Sequence, residues 1–123
     1  MKLRIQGNSL RLRLTQAEVQ RIGEGKPVQE VMRIGEGNPA FSYSLSIHAD
    51  QQPVIVAYQN HEIRVRVSEQ VAHRWVTTNQ VGIEERIFSE DTPLLHILIE
   101  KDFRCLHRDV QDEPDQFPNP EAS

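Results

Sequence analysis

The chain has 123 residues, 14 Lys and Arg against 18 Asp and Glu, a formal charge of −4 and one cysteine. That length suits one domain with a core of its own, needing no metal or disulfide staple. The acidic balance makes nucleic acid an unlikely partner, Cys105 alone cannot form an internal disulfide, and no apolar run marks a leader or a membrane span, so a cytoplasmic protein is expected.

Lys2, Arg4 and Gln6 alternate with Leu3 and Ile5, and the alternation resumes from Ser9 to Leu14 beyond Gly7-Asn8. Two period-two runs split by a dipeptide able to take positive φ predict a β-hairpin. Thr15 with Glu18 three positions on has capping-box spacing, and Val19 and Ile22 supply the apolar face of a short helix ended by Gly23 and Gly25. Strands are expected over 28–34 and 40–48, separated by Gly35, Gly37 and Pro39. A second hairpin follows over 54–59 and 62–67, turning near Asn60-His61. Next comes a helix capped by Ser68 with Val71, Ala72 and Trp75 inward, and then strands over 81–88 and 94–103. Residues 108–123, with Asp109, Asp112, Glu113, Asp115 and three prolines, read as an acidic tail.

The two parts of this plan match each other. An offset of 53 places Gln6 on Gln59, Arg11 on Arg64, Arg13 on Arg66, Arg21 on Arg74, Val28 on Val81, Arg33 on Arg86, Ile34 on Ile87 and Leu45 on Leu98. Two copies are too few for a stacked array. The reading is a single domain over 1–107, built of two pseudo-symmetric β-β-α-β-β repeats (about 1–47 and 54–100). The expected class is α+β, with a mainly antiparallel, twisted or barrel-like sheet and two helices.

The sharpest chemical signal is electrostatic. A two-residue turn at Gly7-Asn8 sets Arg4 opposite Arg11 and Lys2 opposite Arg13, with all four cations on one face of the hairpin. Like charges across a ladder cost about 0.2–1 kcal/mol each, so something must offset them. One reading is a site for a small anion or an acidic protein segment, with Arg11 and Arg13 as forked donors. The other is internal: acidic side chains of a neighbouring strand, such as Glu100 and Asp102, or of the tail, lie alongside. In the second copy Arg64 and Arg66 remain while Ile55 and Ala57 replace Lys2 and Arg4, so an anion site is expected to be asymmetric.

Cys105 and His107, followed by acidic residues, are of the right types for a metal or a reactive thiol. Neither a second Cys nor a close His pair completes a ligand pattern. On a continuing strand Cys105 would instead share the apolar face of Ile97, Ile99 and Phe103. His48, His61, His73 and His96 are scattered and read as turn or surface residues. The recurring Gly-Glu-Gly at 23–25 and 35–37 lacks phosphate-loop spacing and reads as turns.

The opening Met1-Lys2-Leu3-Arg4-Ile5-Gln6-Gly7-Asn8-Ser9-Leu10-Arg11-Leu12-Arg13-Leu14 resembles that of a family of small uncharacterised bacterial proteins. So do the Glu100-Lys101-Asp102-Phe103-Arg104-Cys105-Leu106-His107 stretch and Phe117-Pro118-Asn119-Pro120. The resemblance implies a bacterial cytosolic origin and carries no activity, cofactor or catalytic residue. A triphosphate-tunnel enzyme is excluded, because Lys2, Arg4 and Gln6 stand where such enzymes begin with alternating metal-binding glutamates. The leading expectation is a non-enzymatic binding or interaction module with its surface at Lys2, Arg4, Arg11 and Arg13, and no cofactor. The alternative is a metal- or thiol-dependent enzyme centred on Cys105 and His107.

Overall fold

The computed structural model describes residues 1–37 and 39–103. The first hairpin, β1 (Lys2–Gln6) and β2 (Ser9–Leu14), turns at Gly7-Asn8 with Gln6 opposite Ser9. Gly7 adopts φ +56, the left-handed conformation at the first turn position that a hairpin of this length requires. Thr15 and Glu18 form both arms of the capping box ahead of α1 (Gln16–Gly23). The helix continues through Gly23 and is closed by Gly25. That residue lies at φ +81, with the Gly25 amide donating to Ile22 O (3.0 Å) and the Lys26 amide to Arg21 O (2.9 Å).

β3 (Val28–Met32) and β4 (Phe41–His48) follow, then β5 (Val54–Gln59) and β6 (Glu62–Ser68), whose turn places Asn60 and His61 both at positive φ. Ser68 caps α2 (Glu69–Thr77), and β7 (Gly82–Ser89) and β8 (Thr92–Lys101) end the described fold. Each half therefore runs β-β-α-β-β, and the class is α+β.

The strands form two four-stranded sheets, β1-β2-β8-β7 and β3-β4-β6-β5, and neither closes into a barrel. Each sheet takes one hairpin from each half. The outer pairings are antiparallel, and the central pairs β2·β8 and β4·β6 are parallel. The helices carry the chain from the first sheet to the second and back again.

The correspondence between halves is not gapless. Leu12 faces Ile99, which faces Ile83, whereas Val65 faces Leu45, which faces Val28. Leu12 and Val65 are 53 positions apart, Leu45 and Ile99 are 54, and Val28 and Ile83 are 55. The second helix, nine residues against eight, begins the slip. A one-residue slip in a strand changes the face that a side chain occupies. Leu45 is consequently fully buried, while Leu98 shares the outer face of its sheet with Arg11, and the expected pairs Val28/Val81 and Leu45/Leu98 are not structural equivalents.

One core joins both sheets and both helices. Leu10, Leu12, Leu14, Ile83, Ile97 and Ile99 come from the first sheet, and Val28, Leu45, Val54, Val65 and Val67 from the second. Val19, Ile22, Ala72 and Trp75 descend from the helices. Trp75 is buried with its indole N–H donating to Val81 O at 3.1 Å, so its polar edge is satisfied within the core. Among the described residues, no helix is long and apolar enough to cross a membrane.

Candidate functional site

Alternation on the first sheet puts Leu3, Leu10, Leu12, Ile97 and Ile99 toward the core and leaves an outer face whose rows follow from the register. Lys2, Arg13 and Glu100 form one row with Gly82. Arg4, Arg11, Leu98 and Glu84 form the next, and Gln6, Ser9, His96 and Arg86 the third. The cross-strand pairs Arg4/Arg11 and Lys2/Arg13 lie as the alternation dictates.

For Arg11, Arg13 and Lys2 the offsetting charge comes from β8 and the residue after it. Glu100 Oε1 lies 3.4 Å from Arg11 Nε and 3.7 Å from Arg13 Nε, and Asp102 Oδ2 lies 3.4 Å from Lys2 Nζ. Two guanidinium groups thus approach the same carboxylate oxygen through their Nε edges. Farther along the face His96 Nε2 and Glu84 Oε2 are 2.6 Å apart, with Arg86 3.9 Å from the same oxygen. A hollow of about 440 Å³ opens between these groups, lined by Arg4, Gln6, Ser9, Arg11, His96 and Leu98.

The outer face of the second sheet is built alike but populated differently. Ser44 lies between Gln29 and Arg64, and Ser46 lies beside Arg66, which faces Ile55. Arg64 Nη2 is bonded to Glu62 Oε1 at 2.9 Å. That guanidinium holds the Glu62 carboxyl below its ordinary range, outweighing burial, with Ser44 and Gln29 as further hydrogen-bond donors.

A separate polar cluster surrounds the chain start. The Met1 ammonium is bonded to Glu18 Oε2 at 2.5 Å and Glu30 Oε2 at 2.7 Å, and the Tyr43 hydroxyl donates to Met1 O at 2.9 Å. Burial pushes Glu18 up, but the ammonium and Thr15 more than offset this, and its carboxyl lies below the usual range. The cluster ties the first sheet to the second and to the α1 cap. The spacing of Glu18 reveals its capping role, while its part in this long-range cluster has no local signal.

Cys105 and His107 lie outside the described residues. Among the described residues no three His, Cys, Asp or Glu side chains gather as a metal site. His48, read from sequence as a turn or surface residue, is only 9% exposed.

The model of a family of unknown function, DUF7009, matches residues 1–121. The chain belongs to that family. No curated protein and no solved structure matches it. Membership in DUF7009 assigns no reaction.

Proposed function

We propose that this protein is a non-enzymatic binding module whose first-sheet outer face, at Lys2, Arg4, Arg11 and Arg13, receives an anionic ligand or an acidic protein segment. The observation that supports this reading is the Arg11–Glu100–Arg13 arrangement, in which one carboxylate oxygen serves two guanidinium groups on a protein of net negative charge. The Arg11 and Arg13 forks carry more donors than the Nε edges turned to Glu100 and can donate to a further carboxylate in competition with it. The hollow beside Arg4 and Arg11 supplies room for it. The face lies on the side of the sheet turned away from the core, so binding needs no unfolding.

A hexaglutamate peptide at low ionic strength is the probe. Binding should weaken steeply with salt, and Arg11→Glu with Arg13→Glu should abolish it. A control with Lys26→Glu and Arg33→Glu changes net charge equally, away from the hairpin, and should bind nearly as wild type. Equal loss in both double variants, or no binding by the wild type, overturns the reading.

A further inference from the structure

Alternation within the second sheet decides where the backbone of β3 turns. In the parallel β4·β6 pair the Ser42 amide donates to His61 O at 2.9 Å. A residue in such a ladder turns both its N–H and its C=O to one neighbouring strand, and the next residue turns them to the other. Phe41, Tyr43 and Leu45 therefore serve β3, where they meet Met32, Glu30 and Val28. Gln29 and Val31 are left with their N–H and C=O groups turned to the open edge, and no strand among the described residues pairs with them there.

The side chains along this edge are apolar and exposed. Val31 is 60% exposed, Met32 52% and Ile34 72%, with only Arg33 between them. Free strand edges are ordinarily blunted by charge, proline or a bulge. Here β1 carries Lys2 and Arg4, and β7 carries Glu84, Glu85 and Arg86 with a register irregularity between Ile87 and Phe88. β5 has no charge, but Val54 is buried, which closes the start of that edge. The charged residue of β3, Glu30, lies on the inner face and is bonded to the Met1 ammonium at 2.7 Å, so it does not guard the edge.

The strand is complementary to itself. Antiparallel pairing of two copies must join residues whose backbone groups face outward, and a dyad through Val31 does this. Val31 then meets its own counterpart, Gln29 meets Arg33 of the second copy, and Glu30 meets Met32, so no like charges are opposed. On the outer face Gln29 Nε2 donates to Glu62 Oε2 at 3.2 Å. Arg33 is exposed and has no ion-pair partner among the described residues. In this register it arrives beside a carboxylate oxygen that a neutral amide already draws to the edge.

We infer that β3 is a homodimer interface, in which two copies of the chain pair antiparallel through residues 29–33 about a dyad at Val31 and join their second sheets into one. The exposed Val31 side chains cover each other there. A pairing this short is small for a specific interface, and a dissociation constant of about 10–100 µM is expected. The first sheet and its basic hairpin take no part, so dimerisation does not depend on what that hairpin binds.

The test is sedimentation velocity across concentrations from about 1 µM to about 1 mM, either side of that constant, in which the wild type should pass from monomer to dimer. Val31→Lys and Val31→Glu change a surface position, and each protein alone should stay monomeric, because the dyad opposes every new charge to itself. Mixed one to one, they should recover a heterodimer, as expected when residue 31 faces residue 31. The wild type supplies a reading that needs no variant to fold. Its Gln29, Val31 and Arg33 amides should gain hydrogen-exchange protection with concentration, while those of Glu30 and Met32, turned to β4, should not. The Arg11→Glu, Arg13→Glu protein should dimerise as wild type. A wild-type monomer throughout the range, dimers that survive either substitution at Val31, no recovery in the mixture, or protection that does not follow this alternation overturns the inference.

Discussion

Arg11 Nε lies 3.4 Å from Glu100 Oε1, so its charge is countered from the adjoining parallel strand and not from within the hairpin. The same oxygen is 3.7 Å from Arg13 Nε. Glu100→Gln should therefore leave Arg11 and Arg13 without their shared counter-charge. Because these groups are partly solvated, the expected loss in chemical denaturation is about 1 kcal/mol or less. The same variant should bind hexaglutamate more tightly than wild type, since the internal competitor is gone. Weaker binding would show that Glu100 orients the arginines for the ligand instead of competing with it.

Gly23 marks the close approach of the helices. A Cβ placed there would come within 2.8 Å of Val76 Cγ1, and a valine cannot swing away as a longer side chain could. Gly23→Ala should destabilise by about 1–3 kcal/mol despite the better helix propensity of alanine. Val76→Ala in that background should recover part of the loss, measured by a denaturation double-mutant cycle.

Trp75→Phe removes both indole volume and the donor to Val81 O. A loss of about 2–4 kcal/mol is expected from the cavity and the unsatisfied carbonyl together. Thermal unfolding followed by circular dichroism measures it. A change under 0.5 kcal/mol would mean that the core repacks around phenylalanine and that the Val81 carbonyl finds another donor.

The Glu18 cluster makes stability depend on pH in a defined sense. Its folded pKa lies below the reference 4.5, so its contribution is present above that value and is lost as pH falls through the folded value. Glu18→Gln should cost about 1 kcal/mol at neutral pH, and the difference from wild type should shrink under acid. It should also narrow at alkaline pH. The Met1 amine is opposed by burial but raised overall by Glu18 and Glu30, so its contribution is present below 8.0 and fades as pH rises through the folded value. Urea titrations of both proteins from pH 3 to pH 10 check both limits.

Local chemistry made much of this fold legible. The dyad alternation of Lys2 to Leu14, the Thr15/Glu18 spacing and the turn dipeptides identify each hairpin and cap, because each depends on residues within a few positions of one another. The same alternation places four cations on one face, and Glu100 and Asp102 beside them were readable as candidates to offset the charge. Which hairpin joins which was not readable, since the parallel pairings connect Leu10 with Ile97 and Ile63 with Tyr43 across long stretches of chain. The gapless offset also misplaced Leu98, whose face is decided by the length of α2 and by the β7–β8 connection. His48 carried no sequence signal because its burial comes from tertiary packing.

The exchange of hairpins has a consequence for how the chain matures. Ser9 to Leu14 pair with the first strand at once but find their second neighbour only in a strand that begins at Thr92, so during synthesis the first hairpin stays one-sided until residues 92–101 have left the ribosome. The second sheet, with all four of its strands between Val28 and Ser68, is translated much sooner and needs no such wait. Closing the longer loop carries the greater entropic penalty. Connectivity thus allows the β4·β6 pair to form before the β2·β8 pair, whose formation brings Glu100 to the cationic surface.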